Sequence, residues 1–425
     1  MPDHPSGKTI TFRHAVAIYM ASVLGGGILV LPGLAAQVSG PSSIIAWIIL
    51  SIASYPFAFT FSRLALRNPQ SGGIYSFSRE AFGKYTSNSV GWLFLAWVAL
   101  GAPAIALAAG TYLTFAIPLS HNEIYGFAFI MVISVGAVNY LGIRFSASVQ
   151  LAIIVSIVAL LIVSIVSASM TISLRNLSPI TGNNGLYSVG TAMALVIWAF
   201  FGYENVPNLA GEFVNPTRDL HRSVIFSVIV IGILYTSLAV VTVGTKAYSY
   251  GGGLTPFSVI LSSVFGPYGG TVAGIVAVVA IFSTMNAYMS GVSKLIQVLS
   301  TNGGIPKIFS VQNSRTGSAS ASISLLVLLS SLSLLLYWFI DASITAAFLT
   351  VSGIGVITYI IGSGSGIRLL HLQGSMRALP WISLLMSLAI LMFIGEVILV
   401  AIAVLITSFI YTFLTIGRDK VPAAV

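Results

Sequence analysis

Long apolar runs separated by short polar segments make up most of this chain of 425 residues. Each run could cross the ~30 Å hydrocarbon core of a bilayer as a helix of about 20 residues. Apolar residues are continuous within the runs rather than alternating, which favours helices over the strands of a barrel. We therefore predict an all-α polytopic membrane protein with about twelve transmembrane helices, at 14–38, 42–66, 88–118, 123–141, 146–173, 188–211, 221–245, 269–299, 319–339, 343–367, 379–395 and 397–416.

The positions of Lys and Arg support this count and indicate an orientation. With twelve spans and both termini inside the cell, all of the eighteen Lys and Arg except Arg175 and Lys246 fall on the cytoplasmic side. Such a bias is the positive-inside rule. The boundary with the weakest signal is in 379–416, where only Gly395-Glu396 marks a turn. A single span there would place the last two cations outside, so two spans are favoured. We predict a multi-pass protein of the plasma membrane.

Several classes of function are excluded by composition. Only 6% of residues are charged, against roughly 25% in soluble domains, so a soluble multidomain enzyme is excluded. The net charge of +9 is spread between the apolar runs, and no basic cluster predicts a nucleic-acid partner. The chain has no Cys, and its His residues show no metal-binding spacing, so we predict no metal, no cofactor and no enzymatic activity. The five His residues lie in loops or at span ends, at His4, His14, His121, His221 and His371.

One carboxylate, Glu204, is placed at membrane depth, in the stretch Trp198-Ala-Phe-Phe-Gly-Tyr-Glu204. The other acids lie in loops or at span ends. An ionisable residue within a span marks a functional site by default because of its cost in lipid. The alternative is that Glu204 snorkels or caps a neighbouring helix.

The first span carries a second irregularity, Gly25-Gly26-Gly27 followed by Pro32. Each Gly costs a helix about 1 kcal/mol relative to Ala, so three in a row predict an unwound segment. Unwound backbone at membrane depth is tolerated where it is buried in protein or lines a cavity. We therefore predict that the first and sixth helices are both interrupted and that their free N–H and C=O groups are ligands.

The two interruptions are five spans apart, which predicts an internal repeat. An odd number of spans per block places the two blocks in opposite orientation, as in inverted-repeat transporters, whose sites lie at interrupted helices. The predicted division is a cytoplasmic tail 1–13, a first five-helix repeat 14–173, a second repeat 188–367, two peripheral helices 379–416 and a cytoplasmic tail 417–425.

Four motifs in this order give the chain its family resemblance. They are Gly25 to Ile28 with Pro32; Pro69 to Tyr75 with Ala81 to Gly83 and Gly91-Trp92; Phe200 to Glu204 with Gly211 to Asp219; and Ser293 to Ile296 with Asn302 to Phe309. The chain resembles the amino acid–polyamine–organocation transporter superfamily. It is most similar to the prokaryotic methionine and branched-chain amino acid exporter group, in Gly91 to Leu95, Gly101 to Pro103, Trp198 to Glu204 and Glu212 to Pro216.

The resemblance implies two inverted five-helix repeats, two peripheral helices and a substrate site at the two breaks. A zwitterionic amino acid suits such a site, because a helix N-terminus stabilises its carboxylate and free carbonyls accept its ammonium. We assign the carboxylate to the first break and the ammonium to carbonyls of the second. The predicted substrate-binding residues are Ser22, Gly25, Gly26, Gly27, Ile28, Ala102, Ala199, Phe200, Phe201, Gly202 and Asn286.

Gating and coupling are assigned to a second group of residues. Phe200, Phe201 and Tyr203 are candidates for an aromatic lid, with plain packing as the alternative. Glu204 is interpreted as an anchor for the unwound backbone or a protonation site. Ser283, Thr284 and Asn286 form a polar cluster that could face the first break or serve as interhelical glue. Some proton-coupled relatives carry a Lys in the fifth span, where this chain has Ser156 and Ile157. Sodium, a proton or uncoupled exchange therefore remain as alternatives.

The predicted function is secondary active transport of neutral, apolar amino acids by alternating access. Ala102 and Ile105 predict an apolar pocket, and no second buried charge is available for a cationic or acidic side chain. The alternatives are transport of another amine or organic acid, and an amino acid sensor, although no soluble output domain accompanies the spans. The partners predicted are the substrate and the bilayer. Substrate identity, direction and oligomeric state stay open.

Overall fold

The computed structural model describes residues 10–67, 73–143, 147–180, 185–204, 213–249 and 253–416. Within these ranges the chain is helical and contains no strand, apart from an isolated bridge between Ile10 and Phe213. Both predicted tails fall largely outside them, as do Pro69 to Gly72, Gly211 and Glu212 of the sequence motifs. The α-helices are α1 (Phe12–Val23), α2 (Gly27–Ser39), α3 (Ser42–Arg67), α4 (Ile74–Phe82), α5 (Lys84–Leu113), α6 (His121–Tyr140), α7 (Ala147–Ala168), α8 (Leu186–Val196), α9 (His221–Gly244), α10 (Pro256–Thr301), α11 (Ser320–Phe339), α12 (Ile344–Leu369), α13 (Ala378–Leu391) and α14 (Ile398–Ile416).

The helices agree with the predicted apolar runs. Among the described residues, ten helices are long and apolar enough to cross a membrane, and α1 with α2 forms an eleventh span bent by 49°. The sixth run begins with a shorter apolar helix, Leu186–Phe200, and continues into residues 205–212, outside the described ranges. In α10 the backbone breaks at Gly266 (φ 69°), and its membrane-spanning part is Pro267–Thr301. The prediction of an all-α polytopic membrane protein is confirmed.

The central helix of the bundle is α5, and α13 and α14 lie at its periphery. In the most apolar 18-residue window of α5, 83% of residues are buried, against 22% in the α13 segment and 17% in the α14 segment. A turn at Gly395 (φ 73°) separates α13 from α14, at the predicted position. Polar contacts hold α14 to α5, where Asn88 donates to Thr412 (3.2 Å) and Ser89 bonds Ser408 (2.8 Å). Such bonds join helices that lack a hydrophobic driving force in lipid.

One end of the bundle, termed the basic end, is formed by α4 and the last turns of α3, α10 and α12. Arg67 at the end of α3 donates to the carbonyl of Leu369 at the end of α12 and pairs with Glu80 on α4 (2.8 Å). Asn302, which follows α10, donates to the hydroxyl of Tyr75 on α4 (3.2 Å). These contacts join helix ends that carry Arg67, Arg79 and Arg368, which come from distant parts of the sequence. Their common position agrees with the charge pattern.

The opposite end brings together the two segments that carry Arg175 and Lys246. Beyond α7, the Ser173 N–H donates to the Gly244 carbonyl at the end of α9 (3.1 Å). The Asn176 amide donates to the same carbonyl (2.7 Å). The exceptions to the charge bias therefore share one end of the molecule.

Candidate substrate site

The first break lies between α1 and α2, where the three consecutive Gly residues interrupt the helix. The Gly26 N–H leaves the helical pattern and donates to Thr284 Oγ1 on α10 at 2.9 Å. A Cβ atom at Gly26 would lie 2.7 Å from Ile105 Cδ1 and 3.0 Å from Ile281 Cγ1. A larger residue at this position would have to displace the end of the Ile105 side chain, so glycine allows the main chain to approach α5 and α10 this closely. The predicted interruption of the first helix is present.

The second break follows α8. One 3₁₀ turn (Ile197–Phe200) ends the helix, and Phe201 is extended (φ −74°, ψ 144°). Gly202 then adopts φ 127°, a conformation that favours glycine. Its carbonyl accepts a hydrogen bond from Ser22 Oγ at 2.9 Å. The two breaks, 180 residues apart in sequence, are thus in direct contact.

Glu204 is bound to the backbone of its own break. The carboxylate is buried (4% exposed), and its Oε2 accepts from the Gly202 N–H at 2.7 Å and from the Tyr359 hydroxyl on α12 at 2.5 Å. Its Oε1 has no hydrogen-bond partner among the residues that the structure describes. The first two bonds are those that an anchor for unwound backbone requires, because they fix Gly202 relative to α12.

A tyrosine on α9 joins the two breaks a second time. The Tyr235 hydroxyl lies 2.9 Å from the carbonyl oxygen of Val23 and 3.2 Å from that of Ala199. Val23 is the last residue of α1, and Ala199 lies in the turn after α8. The Tyr235 hydroxyl can therefore donate its one proton to a carbonyl on either side of the site. No local pattern in the seventh apolar run distinguishes this residue, and sequence reasoning missed it.

A small cavity of about 40 Å³ lies between the breaks. Ser22, Gly25 and Gly27 line it from the first break, and Ala199 and Phe201 line it from the second. The walls between them come from α5 and α10, through Trp97, Ala102, Ile105, Thr284, Met285 and Tyr288. Within the described part of the chain, its lining contains no charged side chain. An apolar wall around paired helix breaks is suited to a small zwitterion with an apolar side chain.

A much larger space of about 1110 Å³, termed the vestibule, runs from this cavity toward the basic end. Ser22, Gly25, Thr284 and Tyr288 line both spaces, so they mark the junction between them. At its far end the vestibule reaches α4, at Gly73 to Ser76, and Lys294 and Val298 near the end of α10. The larger space thus extends from the cavity toward the basic end.

The structure places the predicted site residues in three groups. Ser22, Gly25, Gly27, Ala102, Ala199, Phe201 and Thr284 line the cavity. Ser283, Asn286 and Glu204 line the vestibule, where Asn286 accepts a hydrogen bond from Asn139 on α6 (2.8 Å). Gly26, Ile28, Phe200, Gly202 and Tyr203 stand outside the cavity lining, and Ile28 is fully buried.

The three candidates for the aromatic lid are placed differently. Phe200 packs into the core, with its ring centroid 5.8 Å from that of Trp47 and 5.2 Å from that of Tyr235. Tyr203 packs near Tyr19, with centroids 6.0 Å apart. Phe201 lines the cavity and contacts Trp97 and Tyr359, with centroids 4.7 and 4.8 Å away. Of the three, Phe201 has the position that a lid requires.

A family model described as amino acid permease matches residues 10–421 of this chain, which is nearly its whole length. The chain belongs to the amino acid permease family. The match covers both breaks, the helices that surround the cavity and the two peripheral helices, so the candidate site of this permease lies within the part of the chain that the family model matches.

Known amino acid permeases and exporters are similar to this permease over most of its length. The protein named uncharacterized amino acid permease YecA, of Bacillus subtilis (strain 168), is 30% identical over 71% of each chain. The L-methionine/branched-chain amino acid exporter YjeH of Escherichia coli (strain K12) is 27% identical over 91% of this chain and 92% of its own. The branched-chain amino acid permease BcaP of Bacillus subtilis (strain 168) is 25% identical over 68% of this chain and 66% of its own. The resemblances to the amino acid–polyamine–organocation superfamily and to the methionine and branched-chain amino acid exporter group are confirmed. The permease is a transmembrane transporter of amino acids rather than an enzyme.

Proposed function

We propose that this permease is a secondary active transporter of neutral, apolar amino acids, which it carries by alternating access. The observation that supports this most directly is the meeting of two interrupted helices at a cavity without a charged lining residue among those described. Interrupted helices present fixed dipoles to the two charged groups of an amino acid, while the walls contact the side chain. The names of two relatives, which specify methionine and branched-chain amino acids, agree with this substrate class.

The carboxylate of the substrate is placed at the start of α2. Ile28 and Leu29 donate their N–H groups to the carbonyls of Gly25 (3.3 Å) and Gly26 (3.2 Å). The N–H of Gly27, the first residue of α2, has no partner among the described residues, and Gly27 lines the cavity. A helix N-terminus with an unpaired N–H attracts a carboxylate. We therefore assign Gly27 as the main carboxylate ligand. The Ser22 hydroxyl lies beside it but would have to release the Gly202 carbonyl, to which it donates its proton, before it could donate to the substrate.

The ammonium is placed at the carbonyl end of α8, beyond which Ala199 and Phe201 line the cavity. The Ala199 carbonyl shares the Tyr235 hydroxyl with Val23, and that hydroxyl has a single proton. An arriving ammonium can therefore bind whichever carbonyl Tyr235 does not serve. The apolar side chain then faces Trp97, Ala102 and Met285, whose surfaces offer contact without a countercharge.

The direction of opening follows from the orientation of the charges. The positive-inside rule assigns the basic end to the cytoplasm, so we place the protein in the plasma membrane with both termini cytoplasmic. The vestibule is then the cytoplasmic route, and the structure corresponds to the inward-facing member of the transport cycle. Alternating access requires a second arrangement in which the vestibule closes and a route opens on the side of Arg175 and Lys246.

The test is uptake and counterflow of a panel of neutral amino acids by the purified permease in proteoliposomes. We expect counterflow for leucine, isoleucine, valine and methionine, and weak or no flux for lysine, glutamate and putrescine. Imposed sodium and proton gradients identify the coupling ion, or show exchange without one. Binding of these amino acids without flux would contradict transport, and efficient lysine or glutamate flux would contradict the substrate class.

Replacing Ala102 with Leu is expected to narrow the space for the substrate side chain. Because one methylene in an apolar pocket changes specificity by about 1–3 kcal/mol, uptake of leucine and methionine should fall roughly tenfold more than uptake of alanine. The matched control is Ala403→Leu, at an exposed position on α14, which should leave the ratio unchanged. Competition assays with the amino acid panel measure this ratio, and an equal loss for all substrates would argue against a side-chain pocket at Ala102.

Replacing Thr284 with Val is expected to lower transport roughly tenfold. Val preserves the shape of Thr but removes the Oγ1 that accepts the Gly26 N–H at 2.9 Å, and an unpaired buried donor costs about 1–3 kcal/mol. Thr350→Val is the control, because Thr350 Oγ1 bonds only within its own helix, to the Ala346 carbonyl (2.8 Å). Initial rates in proteoliposomes compare the two variants. Equal rates would show that the bond from Gly26 to α10 is not needed.

A further inference from the structure

A separate pocket lies at the basic end, where residues 370–377 connect α12 to α13. It encloses about 340 Å³. Its lining includes the polar side chains of His371, Gln373 and Arg377 and the apolar side chains of Pro380 and Trp381. None of these residues lines the substrate cavity or the vestibule. Transport as proposed above does not use this pocket.

Positive charge near the pocket exceeds the negative charge available to neutralise it. Arg377 Nε donates to the carbonyl of Leu372, which orients the guanidinium. Among the described residues its two terminal nitrogens have no hydrogen-bond partner. Arg368 lies in the last turn of α12, over the ring of Phe82 (5.6 Å to the centroid). Among the described residues, neither arginine has a carboxylate within 4 Å. Such a pocket favours an anion with several acceptor oxygens, which the planar guanidinium binds through two parallel hydrogen bonds.

An apolar stripe continues from the pocket along α13. Trp381, Leu385 and Leu388 are 53, 61 and 42% exposed, and their spacing of four and three residues places them on one face of the helix. Trp381 belongs to both the pocket wall and the stripe. Tryptophan is enriched where a helix enters the headgroup region of a membrane. The stripe thus leads from the level of the head groups into the hydrocarbon.

We propose that this pocket binds the head group of an anionic glycerophospholipid, with one acyl chain along the stripe on α13. Phosphate oxygens face Arg377, and His371 and Gln373 supply further polar contacts. Free phosphate would satisfy the same nitrogens but would leave the stripe without a partner, so the continuity of pocket and stripe favours the lipid. Basic pockets between transmembrane helices on the cytoplasmic side suit such head groups.

Fluorescence of Trp381 tests this proposal directly. The permease is purified in detergent and titrated with brominated phosphatidylglycerol or brominated phosphatidylcholine, since bromine quenches nearby tryptophan. Trp381→Phe is titrated in parallel, and the difference isolates Trp381 from the other five tryptophans. We expect the fraction of phosphatidylglycerol that gives half-maximal quenching of Trp381 to be roughly tenfold lower than that of phosphatidylcholine. This ratio corresponds to about 1.4 kcal/mol.

Two arginine variants identify the cause of the preference. In Arg377→Gln the fractions of the two lipids that give half-maximal quenching should differ by no more than about twofold. Arg315→Gln removes one charge from an exposed loop at the same end, and it should keep the tenfold difference. Equal quenching by both lipids in the unmodified permease would overturn the proposal. So would displacement of phosphatidylglycerol by inorganic phosphate at millimolar concentration, because the pocket would then be a site for free anions.

Discussion

Gly202→Ala is expected to reduce amino acid transport by roughly 10- to 100-fold. Gly202 has φ 127°, where a side chain costs about 1–3 kcal/mol of backbone strain, and a factor of ten corresponds to about 1.4 kcal/mol. The added Cβ would also lie 2.4 Å from the carbonyl oxygen of Ser22. The substitution must therefore separate the two breaks or change the backbone that leads to Glu204. Initial rates in proteoliposomes measure the loss.

Gly291→Ala is the matched control for this variant. Gly291 lines the vestibule on α10, and a Cβ at this position would meet nothing within 4 Å. Replacing it with alanine should leave transport within about twofold, because a helical Gly→Ala change in open space is tolerated or slightly stabilising. Normal transport by the Gly202 variant would contradict the close contact between the two breaks. A comparable loss of transport in Gly202→Ala and Gly291→Ala would indicate that transport is sensitive to any added methyl group in this region.

The second large effect is expected for Glu204→Ala. Its Oε2 accepts from the Gly202 N–H and the Tyr359 hydroxyl, and each buried donor left without an acceptor costs about 1–3 kcal/mol. Transport should fall at least roughly tenfold, while Glu204→Gln, which keeps an acceptor oxygen, should retain most of it. Tyr359→Phe removes one of the two donors, so its transport rate should lie between the rates of the wild type and of Glu204→Ala.

The Gln variant also separates anchoring from proton coupling. If Glu204 only anchors the break, Glu204→Gln keeps both substantial flux and the pH dependence of transport. If Glu204 carries the coupled proton, the same variant loses the response to an imposed proton gradient although counterflow continues. We expect the first outcome, because both hydrogen bonds to Oε2, from the Gly202 N–H and from the Tyr359 hydroxyl, hold the broken segment in place. Uptake measured over a range of pH, with and without a proton gradient, distinguishes the two roles.

The breaks could be predicted from sequence because their cause is local. Three consecutive glycines and a carboxylate at membrane depth are unfavourable in any spanning helix, whatever surrounds them. The same reasoning could not separate Phe200 from Phe201. After α8 the chain passes through one 3₁₀ turn into an extended residue, so helical periodicity no longer predicts which side chain faces the cavity. Phe200 therefore enters the core and Phe201 the site.

The tyrosines that complete the site were missed for a different reason. Tyr235, Tyr288 and Tyr359 come from α9, α10 and α12, and their contacts cross between helices far apart in sequence. A tyrosine within an apolar run has no local signature that tells a partner of free carbonyls from an ordinary packed ring. The short helix α4 was also missed, because its nine residues are too few and too polar for a span. Its position against the vestibule depends on tertiary contacts alone.

The Tyr235 hydroxyl has a single proton and lies within hydrogen-bond distance of one carbonyl from each break, so it holds the two breaks close together. It stands 2.9 Å from one carbonyl and 3.2 Å from the other, and Ser22 fastens the same two segments through Gly202. Because these two connections hold them together, the first and sixth spans would move as one rigid body with α9 in the proposed cycle. The sliding surface would then lie on the other side of the substrate, between this body and α5 with α10. There the bonds from the Gly26 N–H to Thr284 (2.9 Å) and from the Tyr112 hydroxyl to the Leu29 carbonyl (2.6 Å) would have to break and form again in each cycle. An amino acid held there contacts both the moving part and the stationary part, so its presence can alter how readily one slides past the other.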